Sequence, residues 1–144
     1  MAALERHGKP RHSLEHLRRL IDRAVPDCLV NGYEPLIESI NLPDPDDRHV
    51  VAAAIVARAD VIVTTNLKDF PVGSLDPYGL EAQLPDEFVA HLFDLNSQSV
   101  LGAVRTVRSR LKNPPMSAEQ YIECLRGRGF DRVADLIRLH GAEI

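Results

Sequence analysis

Val61-Ile62-Val63 constrains this chain more than any other stretch: three β-branched residues in a row, entered from Asp60 and left through Thr64-Thr65-Asn66. Branching at Cβ favours extended backbone, and the absence of polar alternation is the pattern of a strand covered on both faces, as in a parallel sheet. A helix precedes it. Asp44 as N-cap, Pro45 at the first helical position and Asp46 and Asp47 in the first turn open a run in which Val50, Val51, Ala54, Ile55 and Ala57 share a face. Beyond the strand, Leu80-Glu81-Ala82 reads as a second strand and a helix capped near Asp86 follows. That alternation of α and β elements predicts a parallel sheet in an α/β fold.

Other signals complete the layout. Gly8 and Pro10 read as a helix end, and Ser13 is expected to cap a helix whose Leu14, Leu17, Leu20, Ile21 and Ala24 bury one face before Pro26 stops it. Cys28-Leu29-Val30, closed by Asn31-Gly32, suggests a short strand. After Leu95 the chain turns helical: Ser97 opens an amphipathic helix to about Leu111, Pro114-Pro115 interrupts, Ser117 with Gln120 forms a capping box, and Phe130 to His140 makes a last helix stopped by Gly141. The expected organisation is an α/β part over residues 1–95 and a helical extension over 96–144.

Composition narrows the class. With 44% apolar and 26% charged residues, the 144-residue chain has the balance of one folded domain rather than a disordered segment. Cys28 and Cys124 sit in apolar stretches with no C-x-x-C spacing, which points to reduced structural thiols rather than zinc. No apolar run reaches the roughly 18 residues of a membrane helix and the polar start lacks a signal-peptide core, so a cytoplasmic protein with no membrane partner is expected. Residues 1–96 hold 9 Lys and Arg against 16 Asp and Glu, and residues 97–144 hold 8 against 5, so an acidic body is joined to a basic tail. That asymmetry is compatible with a cation site beside a polyanion-binding surface.

Two constellations could do chemistry. Asp44, Asp46 and Asp47 cluster at a helix start, and hard cations are held by one or two carboxylates with water and substrate phosphate; acids in a first helical turn are also favoured simply by the helix dipole. Thr64, Asn66 and Asp69 follow the strand, where active groups gather in open α/β sheets; the same residues are ordinary turn formers, and Phe70-Pro71 could plug the core. His12 and His16, spaced i, i+4, lack a third ligand nearby, and Arg105, Arg108, Arg110 and Lys112 suit either RNA phosphates or a solvated face. No P-loop, G-x-S-x-G or G-x-G-x-x-G is present.

Taken together, Asp44-Pro45-Asp46-Asp47-Arg48-His49-Val50, the alanine-rich helix, and Val61 to Phe70 at this spacing resemble the second half of PIN-domain nucleases, many of them the toxin halves of VapBC-type toxin–antitoxin pairs. The resemblance runs from about Ser13 to Leu95, and the helical tail resembles the extension carried by one branch of the family. It implies a three-layer α/β/α parallel sheet and a Mg²⁺- or Mn²⁺-dependent endoribonuclease, with Asp47, Asn66, Asp69 and Thr64 as catalytic residues and Asp47, Asp69 and Asp44 as metal ligands. Implied partners are an RNA substrate, an antitoxin protein and a second copy in a homodimer. Arg48 and His49 fit the pattern too, or pack on the helix surface.

Family members also open with a strand bearing an aspartate, followed by a helix bearing a glutamate. Met1 to Val30 offers only Glu5 and Glu15, and neither takes that role. The chain is therefore expected to be incomplete at its N-terminus, with impaired activity and an exposed edge beside Val61 to Val63. The rival expectation is a PIN remnant that binds an antitoxin, a partner chain or RNA without cleaving it.

Overall fold

In a computed structural model of the chain, residues 11–140 and Ile144 are described. The helix end read at Gly8 and Pro10, Glu5, the side chain of His12 and the stop at Gly141 lie outside them. The chain forms two compact units, one from the residues up to Asn41 together with Pro45–Ala59, the other from Leu42–Asp44 together with Asp60–Ile144.

In the first unit, helix α1 spans Arg11–Ala24, so Ser13 lies inside its first turn and does not cap it. Of the predicted apolar face, Leu14 is buried, whereas Leu17, Leu20 and Ile21 are 39%, 47% and 48% exposed. Periodicity reveals amphipathicity, not what covers the stripe. Cys28 to Val30 form no strand: the segment follows a turn with Asp27 at φ 62° and finds no ladder partner among the described residues. Without a partner strand, extended backbone gains no hydrogen bonds.

Helix α2 spans Arg48–Ala57, later than the Asp44 cap predicted. Pro45–Asp47 winds instead as a 3₁₀ turn, and Asp47 is the N-cap without a side-chain capping bond. Two side chains hold this turn: Arg48 Nε donates to the Pro45 carbonyl at 3.0 Å, and His49 Nδ1 donates to the Asp46 carbonyl at 2.7 Å. Val51 and Ala52 are fully buried, and α2 packs on the 3₁₀ turn Glu34–Ser39.

The second unit contains the sheet. Strand β1, Val61–Val63, pairs in parallel with β2, Glu81–Gln83, in the register Val61 with Glu81, Ile62 with Ala82 and Val63 with Gln83. The α/β character and parallel pairing hold, with β2 one residue later than read. Coverage on both faces does not: Ile62 is buried but Val63 is 44% exposed, because successive side chains of a strand point to opposite faces and only one is packed. Between the strands run a 3₁₀ turn Leu67–Asp69, the short helix α3, Val72–Leu75, and a second 3₁₀ turn Asp76–Tyr78. Phe70, Leu75 and Leu80 are buried along this connection.

Helix α4 spans Pro85–Ser109 and starts at an N-cap of Leu84, not at Asp86. It kinks at Asn96 (φ −158°, ψ 85°), whose Oδ1 accepts the Ser99 N–H at 3.0 Å. The helix start expected at Ser97 is thus a re-capped kink with Asn96 as the cap. Helix α5, Ala118–Gly127, carries both arms of the Ser117–Gln120 capping box. It ends in a Schellman motif: Phe130 N–H donates to the Leu125 carbonyl and Gly129 N–H to the Arg126 carbonyl, each at 3.0 Å. Gly129 sits at φ 85°, a left-handed conformation that glycine adopts without a Cβ penalty. Helix α6 follows over Asp131–Leu139. Phe93, Leu101, Ile122, Val133, Ala134, Ile137 and Ile144 close the core of this helical region, each large side chain contributing about 1.5–3 kcal/mol by burial.

Candidate functional site

The ladder of β1 and β2 runs one step past the strands, where Thr64 N–H donates to the Gln83 carbonyl at 2.9 Å. That bond fixes Thr64 at the carboxyl end of β1. Its hydroxyl then accepts the Asn66 N–H at 3.0 Å, a local turn that reverses the chain and presents the Asn66 side chain. Asn66 Nδ2 donates to Asp69 Oδ2, and Asp69 N–H donates to the Asn66 carbonyl at 3.3 Å. Thr64, Asn66 and Asp69 are therefore one hydrogen-bonded unit, each partly buried. The turn reading and the site reading of these residues are the same geometry: the turn aims the carboxylate.

Asp44, exposed and part of the same unit of the fold, brings a carboxylate oxygen within 4.8 Å of one from Asp69. Oxygen donors on opposite sides of a Mg²⁺ ion stand about 4 Å apart, so the two carboxylates are near enough to share one hard cation. The donor set is all oxygen, which suits a hard divalent cation.

Asp47 belongs to the other unit, where it is half-buried at the start of α2. Asp46 is exposed, and its carbonyl is the acceptor for His49. Arg48 and His49 are committed to the turn carbonyls described above, with Arg48 also 3.9 Å from the Glu38 carboxylate, so both hold local structure. Arg108, read as a candidate for RNA phosphates, donates from Nη1 to the Met116 carbonyl at 2.9 Å and ties down the turn after α4.

Sequence reasoning passed over Gln83. It is a buried polar side chain at the carboxyl end of β2, with Oε1 3.3 Å from His91 Nδ1. The signal available was weak: a glutamine ending the short strand Glu81–Gln83, and a histidine eight residues on in the next helix.

The PIN-domain family profile matches residues 2–68, and a profile described as the VapC50 C-terminal domain matches residues 85–139. Residues 2–68 thus resemble a PIN domain. A relative in Mycobacterium tuberculosis (strain ATCC 25618 / H37Rv), named "Putative ribonuclease VapC50", is 38% identical over 94 residues, which cover 65% of this chain and 55% of that protein. The chain thus spans about half the length of the relative it matches. No solved structure matches it significantly. Among the described residues, no helix is long and apolar enough to cross a membrane.

Proposed function

We propose that this chain is a divalent-metal-dependent endoribonuclease of the toxin type found in toxin–antitoxin pairs, with Mg²⁺ or Mn²⁺ as its ion. The observation that carries the proposal is the Asp69 carboxylate, oriented by Asn66 at the end of β1 and within 4.8 Å of Asp44. Asp69 and Asp44 supply ligand oxygens, and the family pattern assigns Asp47, which opens α2, the same role. A divalent cation, when bound, supplies a water of lowered pKa and offsets charge on the phosphate. Asn66 fixes the rotamer of Asp69 through its amide, an outer contact of the kind whose loss costs ten- to a hundredfold in related sites. Thr64 holds the turn that positions Asn66 and orients the attacking water or the substrate. RNA is the proposed substrate, an antitoxin protein and a second copy are the proposed partners, and residues 96–144 are the proposed extension.

The test is cleavage of single-stranded RNA by the purified full chain after chelation, with Mg²⁺ or Mn²⁺ restored. Cleavage that returns only with the cation and falls about a hundredfold or more in Asp69→Asn and Asp47→Ala supports the reading. Equal cleavage by the variants would trace the activity to a contaminant and remove it.

A further inference from the structure

A hollow of about 300 Å³ lies beside Thr65, on the loop between Thr64 and Asn66, and is walled on its other sides by the start of α4 and the turn between α5 and α6. We propose that this hollow takes one unstacked nucleobase of single-stranded RNA next to the bond that is cut, and that Arg128 at its edge holds the adjoining phosphate. The proposal rests on the nuclease reading above and adds where the strand lies and which bases it favours.

Position is the first argument. Thr65 is one Cα step, about 3.8 Å, from each of the candidate catalytic residues Thr64 and Asn66, so a base in the hollow adjoins the site. Chemistry is the second. Leu84, Pro85 and Phe130 form an apolar wall suited to the flat face of a base, and single-stranded RNA is recognised by splayed bases laid against such surfaces. Among the described residues, Asp86 is the one anionic group lining it. Each of its oxygens already accepts a backbone N–H, from Val133 and from Arg132, yet a carboxylate offers about four acceptor sites, so acceptor capacity remains. A carboxylate inside the hollow repels phosphate and attracts an amino group. The base therefore goes in and the backbone stays at the rim, where Arg128 is exposed and makes no ion pair among the described residues. Adenine and cytosine present an exocyclic amine to Asp86; uracil presents carbonyl oxygens on either side of its N–H.

Fluorescence anisotropy with labelled RNA hexamers of adenylate, cytidylate and uridylate, in EDTA so that no cation-dependent cleavage intervenes, tests this directly. Wild type is expected to bind the adenylate and cytidylate hexamers about fivefold or more tighter than uridylate. Arg128→Gln should weaken all three about tenfold and lower the salt slope by about one. Thr65→Phe, which fills the hollow from an exposed loop position, should abolish the base preference; circular dichroism of both variants checks that they fold. Uridylate preference, or either variant binding like wild type, overturns the proposal. Binding as expected without cation-dependent cleavage would sink the nuclease reading and leave the hollow standing. Cation-dependent cleavage with unaltered KM and base preference in both variants would do the reverse.

Discussion

Asp86 caps a helix that begins 45 residues after it: its Oδ1 accepts the N–H of Val133 at 2.9 Å and its Oδ2 the N–H of Arg132 at 3.0 Å, both in the first turn of α6. A charged acceptor serving two backbone donors joins the start of α4 to the start of α6. Asp86→Ala should cost about 1–2 kcal/mol, seen as a lower urea midpoint with unchanged slope, and Asp86→Asn, which retains one acceptor oxygen, about half of that. A midpoint indistinguishable from wild type would show that this bond pair adds nothing.

Asp44 and Asp69 make a second prediction independent of catalysis. If they share a cation, millimolar Mn²⁺ should raise the Tm of wild type, because a ligand bound only by the folded state at a hundred times its Kd adds about 2.7 kcal/mol. Asp69→Asn should lose most of that increment while unfolding near the wild-type temperature in EDTA. The same Mn²⁺ shift in both proteins would place the ion elsewhere.

Arg58, just past α2, is exposed and left-handed at φ 53°. A non-glycine residue there carries about 1–2 kcal/mol of backbone strain, part of which is offset because glycine is more disordered in the unfolded chain. Arg58→Gly should therefore stabilise by about 0.5–1 kcal/mol, and thermal melts should rise by about 2 °C, whereas Arg58→Ala should not gain.

Cys28 is exposed, with its Sγ 3.5 Å from Asp22 Oδ1. Partial desolvation first, and then the Asp22 carboxylate, raise its thiol above the ordinary value. A raised pKa means less thiolate at neutral pH and slower alkylation, since the thiolate is the nucleophile. Iodoacetamide at pH 7.5 should label Asp22→Asn at Cys28 faster than wild type, with Cys124→Ala in both backgrounds to isolate the signal.

What could be read from the chain alone were interactions of short range in sequence. β-Branching made Val61 to Val63 a strand, the Ser117–Gln120 spacing made a capping box, and Thr64, Asn66 and Asp69 met because a turn of six residues brings them together. Family resemblance was legible for the same reason, as a spacing of acids and a strand. Other features depended on partners distant in sequence. Cys28 to Val30 had strand composition and, among the described residues, no strand to pair with, Val63 had a buried residue's side chain and an exposed face, and Asp86 looked like the cap of its own helix yet serves α6. Capping, pairing and burial each need a second group. When that group lies within a turn or two the sequence names it; when it lies tens of residues away, packing alone decides which of several equally suitable partners arrives. Arg128 and Thr65, 63 residues apart and lining one hollow, are joined only by the tertiary structure.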